Sequence, residues 1–188
     1  MDNDYYSLTA VLADNHKLAC TFSQDVPGMG HMDGSTEPDL RAGAKAELPM
    51  WLASSLCLNE LTEFVVPPPF GARVKAALNA SAPSVRLSSL VGQGGWWYRF
   101  GAGVAEIWDR GDDLLGTLLR AFIKRLPALQ DLAAHHASSD VSVPESGPGT
   151  GEAFREGMDA DERELFHIGQ TSGSMVKSWY DTVWGRRR

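Results

Sequence analysis

Leu18, Cys20 and Phe22 alternate with Lys17, Ala19, Thr21 and Ser23, and this period of two predicts a strand with one buried face. Before it, Ser7 is placed to cap a short helix over Leu8 to Ala13. After it come turn signals at Val26-Pro27-Gly28-Met29-Gly30 and at Asp33-Gly34. Ala44 to Leu48 reads as a second short strand. Residues 1–48 therefore form a small β-rich module, too small to bury a core of its own.

From Pro49 onward the apolar period becomes helical. Proline suits the first turn of a helix, where its missing N–H costs nothing. That helix runs through Trp51, Leu52, Leu56 and Leu58. Glu63 to Val66 is briefly extended, and Pro67-Pro68-Pro69 interrupts the chain. A second helix is expected from about Phe70 to Leu78. A third follows the Gly92-Gln93-Gly94-Gly95 turn and carries Trp97, Phe100, Val104, Ile107 and Trp108. The clearest element starts at the capping pair Asp112-Asp113. Leu114, Leu115, Leu118, Leu119, Phe122, Ile123, Leu126 and Leu129 follow, a stripe wider than one surface helix needs. Pro127 is expected to kink it. Ser138 to Gly151 is rich in Ser, Pro, Gly and acid and reads as a mobile loop. Asp159 and Glu162 then make a D-x-x-E variant of the capping box. The last helix carries Leu165, Ile168, Met175, Trp179 and Val183 along one side.

The fold class expected is mainly α: a helical bundle over residues 49–188, preceded by the small β-rich module of residues 1–48. A net charge of -7 argues against a general duplex-binding face, which draws on Lys and Arg meeting phosphates. The two cysteines, Cys20 and Cys57, form no C-x-x-C pair and no disulfide framework, as expected in a reducing compartment. The acidic start, Met1-Asp2-Asn3-Asp4, is unlike a signal peptide, and no apolar run approaches the ~18 residues of a membrane span. A soluble intracellular protein is the expectation.

Catalytic chemistry is hard to place. Glu164-Leu165-Phe166-His167 is a Glu-x-x-His, but di-iron bundles need two, and no other histidine has a Glu three residues before it. The Gly92–Gly95 run lacks the Lys-Ser/Thr of a phosphate loop. His135-His136 near Asp131 reads as cations at a helix end, favoured by the dipole. Gly185-Arg186-Arg187-Arg188 reads as a solvated terminus, with nucleic-acid contact or a nuclear signal as alternatives. No catalytic, cofactor-binding or metal-binding residue is assigned. What stands in excess is aromatic and aliphatic surface at helical spacing, six tryptophans among it. Core packing absorbs some of these, and interfaces are enriched in aromatics too. Trp51, Leu52, Trp179 and Val183 are the candidate interface positions.

Five segments, in order, carry a family likeness. Asp4-Tyr5-Tyr6-Ser7-Leu8 with Val11-Leu12-Ala13-Asp14, and Lys17 to Phe22 with Val26 to Gly30, are the first two. Glu47-Leu48-Pro49-Met50-Trp51-Leu52-Ala53 is the most specific. Tyr98-Arg99-Phe100-Gly101 and Asp159-Ala160-Asp161-Glu162-Arg163-Glu164-Leu165-Phe166 complete the set. Together they resemble the third Psf-type subunit of the eukaryotic GINS complex, with departures at Gly94-Gly95-Trp96 and in the Ser138–Gly151 segment. The resemblance implies a small B domain followed by a helical A domain, the order read above from periodicity. It also implies a non-catalytic subunit of a nuclear heterotetramer, with the three other GINS subunits as partners. Through that assembly it implies contact with the MCM motor ring and the RecJ-like Cdc partner. No cofactor and no membrane are implied, and direct DNA contact is left open. Two rival classes follow from the residues alone: a small metal-dependent enzyme, which needs a second Glu-x-x-His, and a stand-alone nucleic-acid-binding module, which needs a basic face.

Overall fold

The computed structural model describes residues 7–32, 34, 36–92, 94–138 and 150–185. The chain divides into two compact units, residues up to 75 with 96–118, and residues 76–95 with those from 119 onward.

In the first unit, α1 (Leu8–Asp14) leads into β1 (Lys17–Phe22), followed by β2 (Lys45–Pro49), α2 (Met50–Leu58) and β3 (Thr62–Phe64). The three strands form one antiparallel sheet in the order β2-β1-β3. The register sets Leu18 against Leu48 and Cys20 against Ala46, so the alternation seen in the sequence buries all four on one face. The long β1–β2 connection is tied by side chains: Asp25 Oδ1 accepts from the Ala42 amide at 2.7 Å, and Asp39 Oδ1 from Gly28 at 2.9 Å. The third strand comes from Thr62–Phe64, after α2. The extended stretch expected at Glu63 to Val66 thus serves the sheet rather than a linker. Ser7 stands at the N-cap of α1, yet its hydroxyl meets Thr9 Oγ1 at 2.8 Å and caps no backbone N–H.

The core of this unit is aromatic. Phe70, at the end of a 3-10 turn over Pro68–Phe70, lies 5.8 Å from both Trp97 and Phe100 of α4 (Trp97–Ile107). The Trp97 Nε1–H donates to the Pro69 carbonyl at 3.1 Å, so the buried indole keeps its polar handle satisfied. Gly101 permits the close approach: a Cβ there would stand 2.9 Å from Phe70 Cε1 and 3.0 Å from the Leu118 methyls. Trp108, expected in this helix, is its extended C-cap residue.

The second unit takes the end of α3 (Ala72–Ser81), 3-10 turns over Ala82–Ser84 and Leu87–Ser89, most of α5 (Gly111–Ser138), α6 (Thr150–Glu156) and α7 (Ala160–Gly185). Its core gathers Leu129 and Ala133 of α5, Phe154 of α6, Met158, and Phe166 of α7. Pro127 lies inside α5, which runs as one helix from Gly111 to Ser138. The two ends of the loop expected over Ser138–Gly151 are helical. Ser138 ends α5, and Thr150-Gly151 start α6, whose formation is fixed by burial of Phe154; residues 139–149 lie outside the described residues. Among the described residues no helix is long and apolar enough to cross a membrane.

Candidate interaction surface

A buried ion pair positions the start of α7. Arg125 of α5 is wholly buried, and Glu162 of α7 with it. The Arg125 Nε and Nη2 donate to Glu162 Oε1 and Oε2 at 2.7 and 2.9 Å. The Nη1 donates to the carbonyls of Ala82 and Val85 at 2.7 and 2.8 Å, and the guanidinium stands 4.7 Å over the Phe154 ring. Glu162 Oε2 also accepts the Asp159 amide at 3.1 Å, and Asp159 Oδ1 accepts the Asp161 amide at 3.3 Å. The D-x-x-E read from the sequence is therefore a true capping box, with its acidic arm shared by Arg125. Nearby, Ala160 donates to the Gly95 carbonyl at 2.8 Å and Arg163 Nη2 to the Gly94 carbonyl at 2.6 Å. The glycine run expected to be a turn thus holds the first turn of α7.

Beyond that clamp few of the described residues of α7 are buried. Phe166 is the last buried residue among its described positions. Leu165, Ile168, Met175, Val176, Trp179 and Tyr180 are all exposed, Met175 at 68% and Trp179 at 58%. At 3.6 residues per turn these positions and Val183 fall within an arc of roughly 140°. Glu164, His167, Gln170, Ser174, Lys177 and Asp181 occupy the other side. Trp179 and Tyr180 meet edge to face at 5.0 Å, which gives the apolar face a rigid aromatic end.

The wide stripe of α5 splits in the same way. Leu114, Leu118, Ala121, Leu129 and Ala133 are buried, whereas Leu115, Leu119 and Ile123, at i, i+4 and i+8, are exposed. On α2, Met50 and Ala53 face the core, Leu52 is half-buried, and Trp51 is 58% exposed. Of the four positions singled out from the sequence, Trp51 and Leu52 lie on α2 of the first unit. Trp179, exposed, and Val183, half-buried, lie on α7 of the second. The sequence reading missed Leu119, Ile123, Val176 and Tyr180 as surface residues. It also missed Arg125, whose only signal was a lone cation amid an apolar stripe.

Glu164 and His167 are both exposed, and among the described residues no group of three or more His, Cys, Asp or Glu could hold a metal ion.

A helical protein with naked apolar faces and a small antiparallel sheet is built to be one part of something larger. The model of the PSF3 N-terminal domain matches residues 6–58, which take in α1, the β1–β2 pair and all of α2. The chain is similar to the DNA replication complex GINS protein PSF3 of Phaeosphaeria nodorum, with 31% identity over 183 residues covering 94% of this chain and 96% of the relative. It is 30% identical over 181 residues to the protein of the same name from Aspergillus fumigatus, covering 93% and 95% of the two chains. With that from Schizosaccharomyces pombe it shares 26% identity over 180 residues, covering 96% and 99%. The chain belongs to the PSF3 family of GINS proteins.

Proposed function

We propose that this chain is a non-catalytic structural subunit of a heterotetrameric GINS complex acting in DNA replication in the nucleus. Its partners are the three other GINS subunits. Through them it meets the MCM motor ring and the RecJ-like Cdc partner, and the assembly forms the replicative helicase in initiation and elongation. The chain supplies shape and adhesion, not chemistry. Residues 1–48 serve as the small B domain, joined by β3, and residues 49–188 as the helical A domain.

The observation that carries this reading is the α7 face from Leu165 to Tyr180, apolar and exposed along about four helical turns. Monomeric soluble proteins seldom expose contiguous apolar patches beyond a few hundred Å². Trp51 and Leu52 on α2 and Trp179 and Val183 on α7 are the proposed contact residues. Obligate interfaces often exceed ~2,000 Å² and depend on the partner for a folded state. Expressed alone, the chain is therefore expected to aggregate. Co-expressed with the three other subunits, it is expected in a one-to-one-to-one-to-one complex by native mass measurement. A monodisperse, folded monomer with no affinity for those three subunits would overturn the reading.

A further inference from the structure

The protein has two cysteines, and the fold brings them together. Cys20 lies on the buried face of β1, where the β1–β3 register pairs it with Phe64 and pairs Phe22 with Thr62. Cys57 lies in the last turn of α2, and its Sγ is 3.3 Å from Thr62 Oγ1. Thr62 stands opposite Phe22, the next position after Cys20 on the same face of β1, and Cys57 is near enough to the Cys20 thiol to raise its pKa. Both thiols are free, Cys20 buried and Cys57 half-buried, at the junction of helix and sheet. The interaction surface described above uses neither.

We propose that Cys20 and Cys57 are a latent dithiol that a hydroperoxide closes into a disulfide, fastening the last turn of α2 to β1. The more accessible Cys57 is the entry point. Its thiolate attacks the O–O bond of the hydroperoxide, leaving Cys57 as a sulfenic acid and releasing an alcohol, or water when the oxidant is hydrogen peroxide. The Cys20 sulfur then attacks the Cys57 sulfur. An S–S bond forms, the S–O bond breaks, and hydroxide leaves as water with the Cys20 proton. Two thiols lose two electrons and two protons, and the peroxide oxygens take them up.

Burial and the neighbouring Cys57 push the Cys20 thiol up to about 12. The thiolate is the nucleophile, so the second step is slow at neutral pH and limits the rate. It should quicken roughly tenfold per pH unit below that value, as the thiolate fraction grows. This separates a dithiol from a pair of independently oxidised cysteines: brief oxidation leaves Cys57 as a sulfenic acid, and the disulfide closes behind it at the rate at which Cys20 ionises.

The test uses the full chain, co-expressed with its partners if it needs them, treated with hydrogen peroxide at neutral and at alkaline pH. Peptide mapping without reductant is expected to show a Cys20–Cys57 cross-linked pair, lacking two hydrogens and reversed by dithiothreitol, and forming faster as pH rises. Cys20→Ser should stop the reaction at oxygenated Cys57, and Cys57→Ser should leave Cys20 a free thiol. A wild-type map in which Cys57 gains oxygen while Cys20 stays a free thiol at every pH would overturn the proposal. So would disulfides formed only between chains. Because the wild-type protein alone distinguishes these outcomes, misfolding of a serine variant would not blunt the test.

Discussion

Arg125 and Glu162 meet fork to fork in the interior of the second unit, 2.7 Å from Nε to Oε1, with both side chains 1% exposed. Every strong donor direction of the guanidinium that this geometry uses ends on a carboxylate or a backbone carbonyl. The pair joins α5 to the capping box of α7, so the helix that bears the exposed apolar face is aimed by a buried charge. Such a pair adds little net stability over apolar residues, because desolvation offsets its attraction, but removing one partner strands the other.

The first prediction follows from that asymmetry. Glu162→Ala should destabilise the protein by about 3–5 kcal/mol, since it leaves a buried guanidinium without its counter-ion. Arg125→Met with Glu162→Leu should recover most of that loss, although the capping contact to Asp159 is gone. Chemical denaturation of the parent and the two variants decides it. A Glu162→Ala protein as stable as the parent would mean that the pair is solvated in solution.

The two faces of α5 give the second. Leu118 is 6% exposed and Ile123 is 57% exposed on the same helix. Leu118→Asp places a charge in an apolar interior and should cost more than ~3 kcal/mol. Ile123→Asp should alter the stability of the isolated chain by no more than about 0.5 kcal/mol. Thermal melts that rank the two the other way would mean that the helix is turned over.

These positions also show how far the sequence was legible. The period of two in Leu18, Cys20 and Phe22 translated directly into a half-buried strand, because one face of a small sheet meets the core and the other meets water. The stripe from Leu114 to Leu129 was equally plain as a helix. Periodicity alone, however, cannot say which apolar positions its own chain covers, and here Leu115, Leu119 and Ile123 are left bare. Arg125 was invisible as a core residue because a cation is read as surface unless its partner is known. That partner lies 37 residues away, and its carboxylate was already accounted for as a helix cap. The helix at Thr150–Glu156 was hidden for another reason. Its flanking Ser, Pro and Gly speak against structure, and only the seat for Phe154 reverses that.

His16 gives the third prediction. Its ring stands edge-on to Phe100 at 4.6 Å, and burial holds its pKa below the ordinary 6.5. The unfolded chain therefore binds this proton more readily than the folded one. The contribution is fully present above the unfolded pKa and is lost as pH falls through the lower folded value. Stability should decline from about pH 7 to pH 5, and His16→Phe should remove part of that slope. Parallel slopes for the two proteins in denaturation series across this range would show that His16 is not coupled to folding.

The last prediction concerns Trp179 and, beside it, Trp51 of the first unit, the two aromatic residues among the proposed contacts. Both indoles are 58% exposed, so neither is needed for the core of its own unit. Trp179 stands at the aromatic end of a long apolar face with Tyr180 beside it, whereas the buried neighbours of Trp51, Met50 and Ala53, leave it more isolated. Interfaces concentrate their energy in aromatic anchors that become fully desolvated, and truncating such an anchor costs about 2 kcal/mol or more. Trp179→Ala should therefore leave the melting temperature of the chain unchanged. It should weaken recovery of the four-subunit complex by roughly thirtyfold in affinity, the equivalent of that free energy. Trp51→Ala should do the same only if α2 also meets a partner, and the pair of variants thus assigns the contact to one helix or to both. Co-purification with a tagged partner subunit, followed by binding measurements on the folded variants, reads the outcome. Undiminished assembly with Trp179→Ala, and with Val183→Asp beside it, would remove α7 from the interface.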